Sequence, residues 1–127
     1  MAIGGLSILV LSERRSVTAD VAGILHAADA SAHTVATHHA AASAMKSEPF
    51  DLFIADAGSE SEDWYDVLVG MRRDSEVPIL MLVEGSEVAA DCLTLGADDC
   101  MPWPSSPREL VARVALRARP SNGQDHT

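Results

Sequence analysis

The chain has 127 residues, 47% of them hydrophobic, which suits one domain with a sizeable core and argues against a disordered segment. Nineteen acidic against nine basic residues give a formal net charge of −10, which opposes direct binding to a phosphate backbone and leaves proteins and cations as compatible partners. No apolar run approaches the roughly 18 residues of a membrane span. The opening MAIGGLSILVL lacks the basic region and cleavage site of a signal peptide, and Cys92 and Cys100 fit neither a disulfide framework nor a ligand spacing. A reduced, cytoplasmic setting is the expectation.

In chain order, LSILVL (6–11) is an unbroken apolar run of the kind that a strand covered on both faces requires. Residues 15–29 place Val17, Val21, Ile24, Leu25 and Ala28 on one helical face. AHTVAT (32–37) is a more polar strand, suited to a sheet edge, and an alanine-rich helix follows over 39–47. DLFIAD (51–56) repeats the buried-strand pattern. Trp64, Val67, Leu68 and Met71 recur at helical spacing over 63–73. PILMLV (78–83) is a third buried strand, followed by a helix over 87–95 that ends at Gly96, a favourable C′ residue. DDCM (98–101) makes a short fifth strand. The last helix opens at SSPREL, with Ser106 as N-cap, Pro107 at N1 and Glu109 placed to close a capping box, and it ends near Pro120.

Five strand–helix alternations joined by right-handed crossovers predict an α/β, flavodoxin-like doubly wound sheet of five parallel strands in the order 2-1-3-4-5, with five helices. Residues 1–119 form this domain, and 120–127 read as a polar tail or the start of an interdomain linker. In such sheets the site lies at the carboxyl ends of the strands. The residues there are Ser12 and Glu13, then Asp56, then Val83 and Glu84, then Met101 to Pro104.

From about Leu6 to Arg119, the segments ILVLSE, FDLFIAD, VPILMLVE and GADDCMPWPSSPRELVAR resemble the receiver domain of bacterial two-component response regulators. The likeness is greatest to the OmpR-type subclass, whose receivers precede a winged-helix DNA-binding domain. The resemblance implies a module that accepts a phosphoryl group on an aspartate beside Mg²⁺. Two acids after the first strand, a hydroxyl after the fourth and a lysine after the fifth support that chemistry, and a switch aromatic completes it.

Asp56 stands at the acceptor position, and Glu13 keeps one of the two acids. Ser12 replaces the other acid, Val83 the hydroxyl, Cys100 the switch aromatic and Trp103 the lysine. Glu60 and Trp64 stand where proline and glycine are usual. A phosphoaspartate brings nearly two negative charges, and one neutral indole N–H cannot offset them. Asp56 is therefore expected to be a vestigial acceptor in a pocket that keeps an anion and has forfeited its cationic and hydroxylic groups. If Arg14 and Arg15 point away, Glu13 and Asp56 sum to −2, which leaves weak Mg²⁺ binding through Glu13, Asp56 and the Gly58 carbonyl open; no cofactor is required. Trp103–Pro104 resembles the Lys-Pro step of receivers, a peptide usually cis, and Trp103 is expected over or beside the Asp56 crevice.

Other features read more plainly. Glu60, Glu62, Asp63 and Asp66 suit a solvated loop and helix start, His38-His39 a surface turn, and both cysteines buried small hydrophobes. Trp64 and Tyr65 suggest one core and one surface residue. Asp98, Asp99, Arg113 and Arg119 match the acid–arginine pattern of the subclass's two-fold dimer face, built by the fourth helix, fifth strand and fifth helix. Ala89 stands near the place of a missing basic residue in that pattern. The expected function is an atypical receiver that works without phosphorylation, is not an enzyme, dimerises, and controls an attached DNA-binding domain or a protein partner. The alternatives are a weak phosphoacceptor at Asp56 and a small-ligand sensor whose crevice Val83, Trp103 and Trp64 line.

Overall fold

The computed structural model describes residues 3–58 and 63–120. Ten elements alternate strictly: β1 (Ser7–Leu11), α1 (Arg15–Ala27), β2 (Ser31–Val35), α2 (His38–Ser47), β3 (Leu52–Asp56), α3 (Asp63–Asp74), β4 (Ile79–Val83), α4 (Ser86–Thr94), β5 (Asp99–Pro102) and α5 (Pro107–Arg117). The strands form one parallel sheet in the order β2-β1-β3-β4-β5, the topology expected for a doubly wound α/β fold.

The period-2 pleat explains the unbroken apolar runs. Leu9, Leu11, Phe53, Ala55, Ile79, Met81 and Val83 project to one face, where α2, α3 and α4 cover them. Ile8, Val10, Leu52, Ile54, Leu80, Leu82 and Met101 project to the other, under Val17, Val21 and Leu25 of α1 and Leu110 and Val114 of α5. β2 pairs only with β1 and is largely solvent-facing, as its polar composition requires of an edge strand. It stops at Val35 because Thr37 turns to cap α2, its hydroxyl accepting from the Ala40 N–H at 3.0 Å.

At the last helix Ser106 Oγ accepts from the Glu109 N–H at 3.1 Å and Pro107 begins the first turn. The reciprocal half of the expected capping box is replaced. Glu109 accepts instead from Ser105 Oγ at 3.2 Å and from Arg113 Nη2 at 3.1 Å. Gly96 closes α4 at φ +114°, a conformation that favours glycine. The Trp103–Pro104 peptide is cis.

Candidate functional site

The carboxyl ends of β1, β3 and β4 converge on Asp56. Parallel register aligns these ends, so the loops that follow them meet above one edge of the sheet. Asp56 is the last residue of β3, and its side chain is almost fully buried.

The loop after β1 supplies its partners. Ser12 Oγ accepts from the Arg14 N–H at 2.9 Å, a serine turn that fixes the entry to α1. The same hydroxyl donates to Asp56 Oδ2 at 2.6 Å. Arg14 occupies the N-cap of α1, and its side chain makes no cap, because it turns back across the crevice. Its Nε donates to Asp56 Oδ2 at 2.9 Å and its Nη2 to Oδ1 at 2.8 Å, a two-pronged guanidinium–carboxylate pair. The Gly58 N–H donates to Oδ1 at 2.7 Å. Arg14 Nη1 reaches on to Glu84 Oε2, 3.3 Å away, just past β4. A Cβ at Gly58 would stand 2.7 Å from Arg14 Nη2 and 3.0 Å from Glu84, so a larger residue there would make those two side chains shift.

Each Asp56 oxygen thus accepts two hydrogen bonds, which uses the capacity of an ionised carboxylate. Burial alone would raise its pKa. The hydrogen bonds from Arg14, Ser12 and Gly58 outweigh burial and hold it below the ordinary carboxylate value.

Two expectations are corrected here. Arg14 does not point away, and the pocket has not lost its cationic and hydroxylic groups. Arg14 and Ser12 bring both to Asp56 from the other side of the crevice. The pairing was missed because a loop side chain's direction cannot be read from spacing. Its available signal was compensation: a cation follows the first strand in a chain that lacks the lysine after the fifth.

Trp103 is also placed differently. Its backbone N–H donates to the Val83 carbonyl at 3.0 Å, so the chain is in register with β4. The indole is buried beside Leu110 and Val114 on the α1/α5 face, and it is absent from the lining of the Asp56 crevice, which Ser12, Glu13, Thr37, His38 and Trp64 help form. Val83 lies on the opposite face of the sheet, under α2, α3 and α4. Val83 and Trp103 therefore do not line one crevice together, as the small-ligand reading required. The pleat sends the two side chains to opposite sides.

The proposed metal donors do not fit a divalent cation as they stand. Such a hard ion takes about six oxygen ligands. Both Asp56 oxygens are committed to N–H and O–H donors, Ser12 has no carboxylate, Glu84 is paired with Arg14, and among the described residues the exposed Glu13 is the other acid that lines the crevice with Asp56. Among the described residues no group of three or more His, Cys, Asp or Glu forms a metal cluster.

The four residues expected on the dimer face divide. Asp99 is buried at the edge of α5, taking Arg113 Nη1 at 3.0 Å and Arg117 Nε at 3.1 Å. Burial raises its pKa, and the hydrogen bonds from Arg117 and Arg113 prevail and lower it. Asp98, one residue earlier, projects the other way. It accepts from the Ile79 N–H at 2.7 Å and from Arg72 Nη2 of α3 at 2.8 Å. Arg72 also donates to the carbonyls of Gly96 and Val77, so Asp98 serves a staple between α3 and β4 rather than the α5 face. Arg119 lies beyond α5, its N–H bonded to the Asp51 carbonyl at 3.0 Å and its side chain exposed.

His38 and His39 open α2 rather than forming a free turn. Trp64 packs on the core while Tyr65 is half exposed. Cys92 is buried, Cys100 half-buried, and both are free. Glu60, Glu62, the side chain of Asp63 and the tail 121–127 lie outside the described residues.

Solved structures share the architecture. The receiver domain of the Francisella response regulator 1452 matches 88% of this chain and 95% of its own, with a TM-score of 0.79 at 18% identity. The chemotaxis response regulator CheY4 of Vibrio cholerae matches 88% and 98%, with a TM-score of 0.79 at 21% identity. This is the receiver-domain fold. No family model matches the chain. By sequence, this receiver fold is 42% identical over 74 residues to the probable transcriptional regulator ycf27 of Guillardia theta, covering 57% of this chain and 29% of that protein. It is 36% identical over 77 residues to the transcriptional regulatory protein CpxR of Escherichia coli, covering 59% and 33%. The chain thus spans about a third of the length of the curated relatives it matches.

Proposed function

We propose that this chain is an atypical receiver module of a transcription regulator, without enzymatic activity, that works without a phosphoryl group on Asp56. The observation that carries this is the saturation of Asp56. Attack on phosphorus needs a free carboxylate lone pair. Here both oxygens are held by a guanidinium fork, a hydroxyl and an amide, and the lowered pKa makes the carboxylate a weaker nucleophile. Val83, which replaces the phosphoryl-binding hydroxyl, and Trp103, which replaces the lysine, remove two of the groups that would hold the product. Relatives named as transcriptional regulators support an output through a DNA-binding domain; the arrangement proposed with it is a second copy meeting this one across α4, β5 and α5.

One observation favours a second reading. Arg14 is a cation already at the acceptor, and it could move from the carboxylate to a phosphoryl oxygen. Intact-protein mass after incubation with acetyl phosphate and Mg²⁺ separates the two. The first reading expects the unmodified mass. A phosphoryl increment that disappears in Asp56→Asn establishes the second.

A further inference from the structure

We infer that Arg14 is the resident cation of this site: its guanidinium stands in for a divalent ion and closes the crevice to metal. The inference rests on reading the Asp56 crevice as a receiver site, and it holds whether or not Asp56 can be phosphorylated.

The ends of β3 and β4 meet at Arg14, and each contributes something a bridging metal ion would otherwise supply or need. Asp56, at the end of β3, gives both carboxylate oxygens to the guanidinium at 2.8 and 2.9 Å. Glu84, after β4, meets Nη1 at 3.3 Å. Gly58 clears the volume the guanidinium fills, since a Cβ there would stand 2.7 Å from Nη2. The arginine thus bridges two anions from two different loops and holds the β4–α4 turn to the acceptor strand.

Charge alone does not exclude a metal. Asp56, Glu84 and Glu13 against Arg14 leave the site at −2. Occupancy of the ligand atoms is what excludes it. An ion at Asp56 would have to displace the bidentate pair and then share the crevice with the freed positive charge. Removing Arg14 should reverse this. Each Asp56 oxygen would keep its bond from Ser12 or Gly58 and regain one acceptor site, Glu84 would lose its partner, and Glu13 lines the crevice beside Asp56, oxygen donors of the kind a hard divalent cation takes.

The test is a Mn²⁺ titration of the full chain, following free ion by electron paramagnetic resonance. It compares wild type, Arg14→Ser, and Arg14→Ser with Asp56→Asn. The wild type should show only the weak, unsaturating uptake of an acidic surface. Arg14→Ser should gain a saturable site at least about tenfold tighter, and the added Asp56→Asn change should abolish it. A saturable wild-type site lost in Asp56→Asn overturns the inference, as does a folded Arg14→Ser protein with no gain. Should Arg14→Ser fail to fold, the wild-type titration against Asp56→Asn still decides. The readout is metal uptake and not phosphorylation, so its failure is distinct from failure of the phosphodonor experiment.

Discussion

Asp56 ends β3 with a buried carboxylate that Arg14, Ser12 and Gly58 hold between them. An acid closing an apolar strand, DLFIAD, marks the carboxyl end of β3, and parallel topology then brings the other strand ends to it. Whether the acid is bare or neutralised depends on where one arginine points, and no periodicity encodes that. Trp103 failed for a related reason. Its place after β5 was legible, whereas the face its indole takes follows from the pleat and from room beside Leu110 and Val114. Hydrogen bonds to a charged group contribute roughly 1.5–3 kcal/mol, and the partly exposed Arg14 belongs toward the lower end. Arg14→Ala should therefore destabilise the domain by about 2 kcal/mol in urea unfolding. A near-zero change would mean that the pair is not formed in solution.

The same residue fixes the sign of an acid effect. The folded pKa of Asp56 lies below its unfolded value, so the unfolded chain binds more protons in that range and stability rises with pH. The contribution is complete above the ordinary carboxylate pKa of about 4 and is lost as pH falls through the folded value. Asp99 behaves alike. Urea midpoints of wild type should drop more steeply between about pH 5 and 3 than those of Asp56→Asn. Equal slopes would contradict the lowered pKa.

Among the elements, those with a single physical cause were the most legible. β1, β3 and β4 are buried on both faces and read as unbroken apolar runs. β2, at the edge, keeps polar residues and an ill-defined end, which the Thr37 cap settles in the structure. Helix α5 was marked by its cap, and Ser106→Ala should cost about 1 kcal/mol in thermal or urea unfolding. The capping box was only half right, because Glu109 had a better use across the turn with Arg113 than back toward the N-cap. Asp98 and Asp99 show the limit of pattern matching at this scale. Asp98 precedes β5 and Asp99 opens it, and their side chains leave on opposite sides, so Asp99 serves α5 and Asp98 serves α3.

As a whole molecule, the domain presents two exposed leucines, Leu93 on α4 and Leu116 on α5, while the buried acid between those elements is already paired within its own chain. Dimerisation across α4, β5 and α5 would then depend on apolar contact more than on the acid–arginine pattern seen in the sequence. Sedimentation without phosphodonor should show a dimer that Leu116→Glu weakens, and a monomer at high concentration would refute that arrangement. The expectations at the site presuppose that Arg14 neutralises Asp56 inside the fold. The side-chain Nε–H of Arg14 reports this directly by ¹H–¹⁵N NMR. A resolved, exchange-protected resonance in wild type that is lost in Asp56→Asn is the predicted result, and an Arg14 Nε–H exchanging as freely as that of an exposed arginine would contradict it.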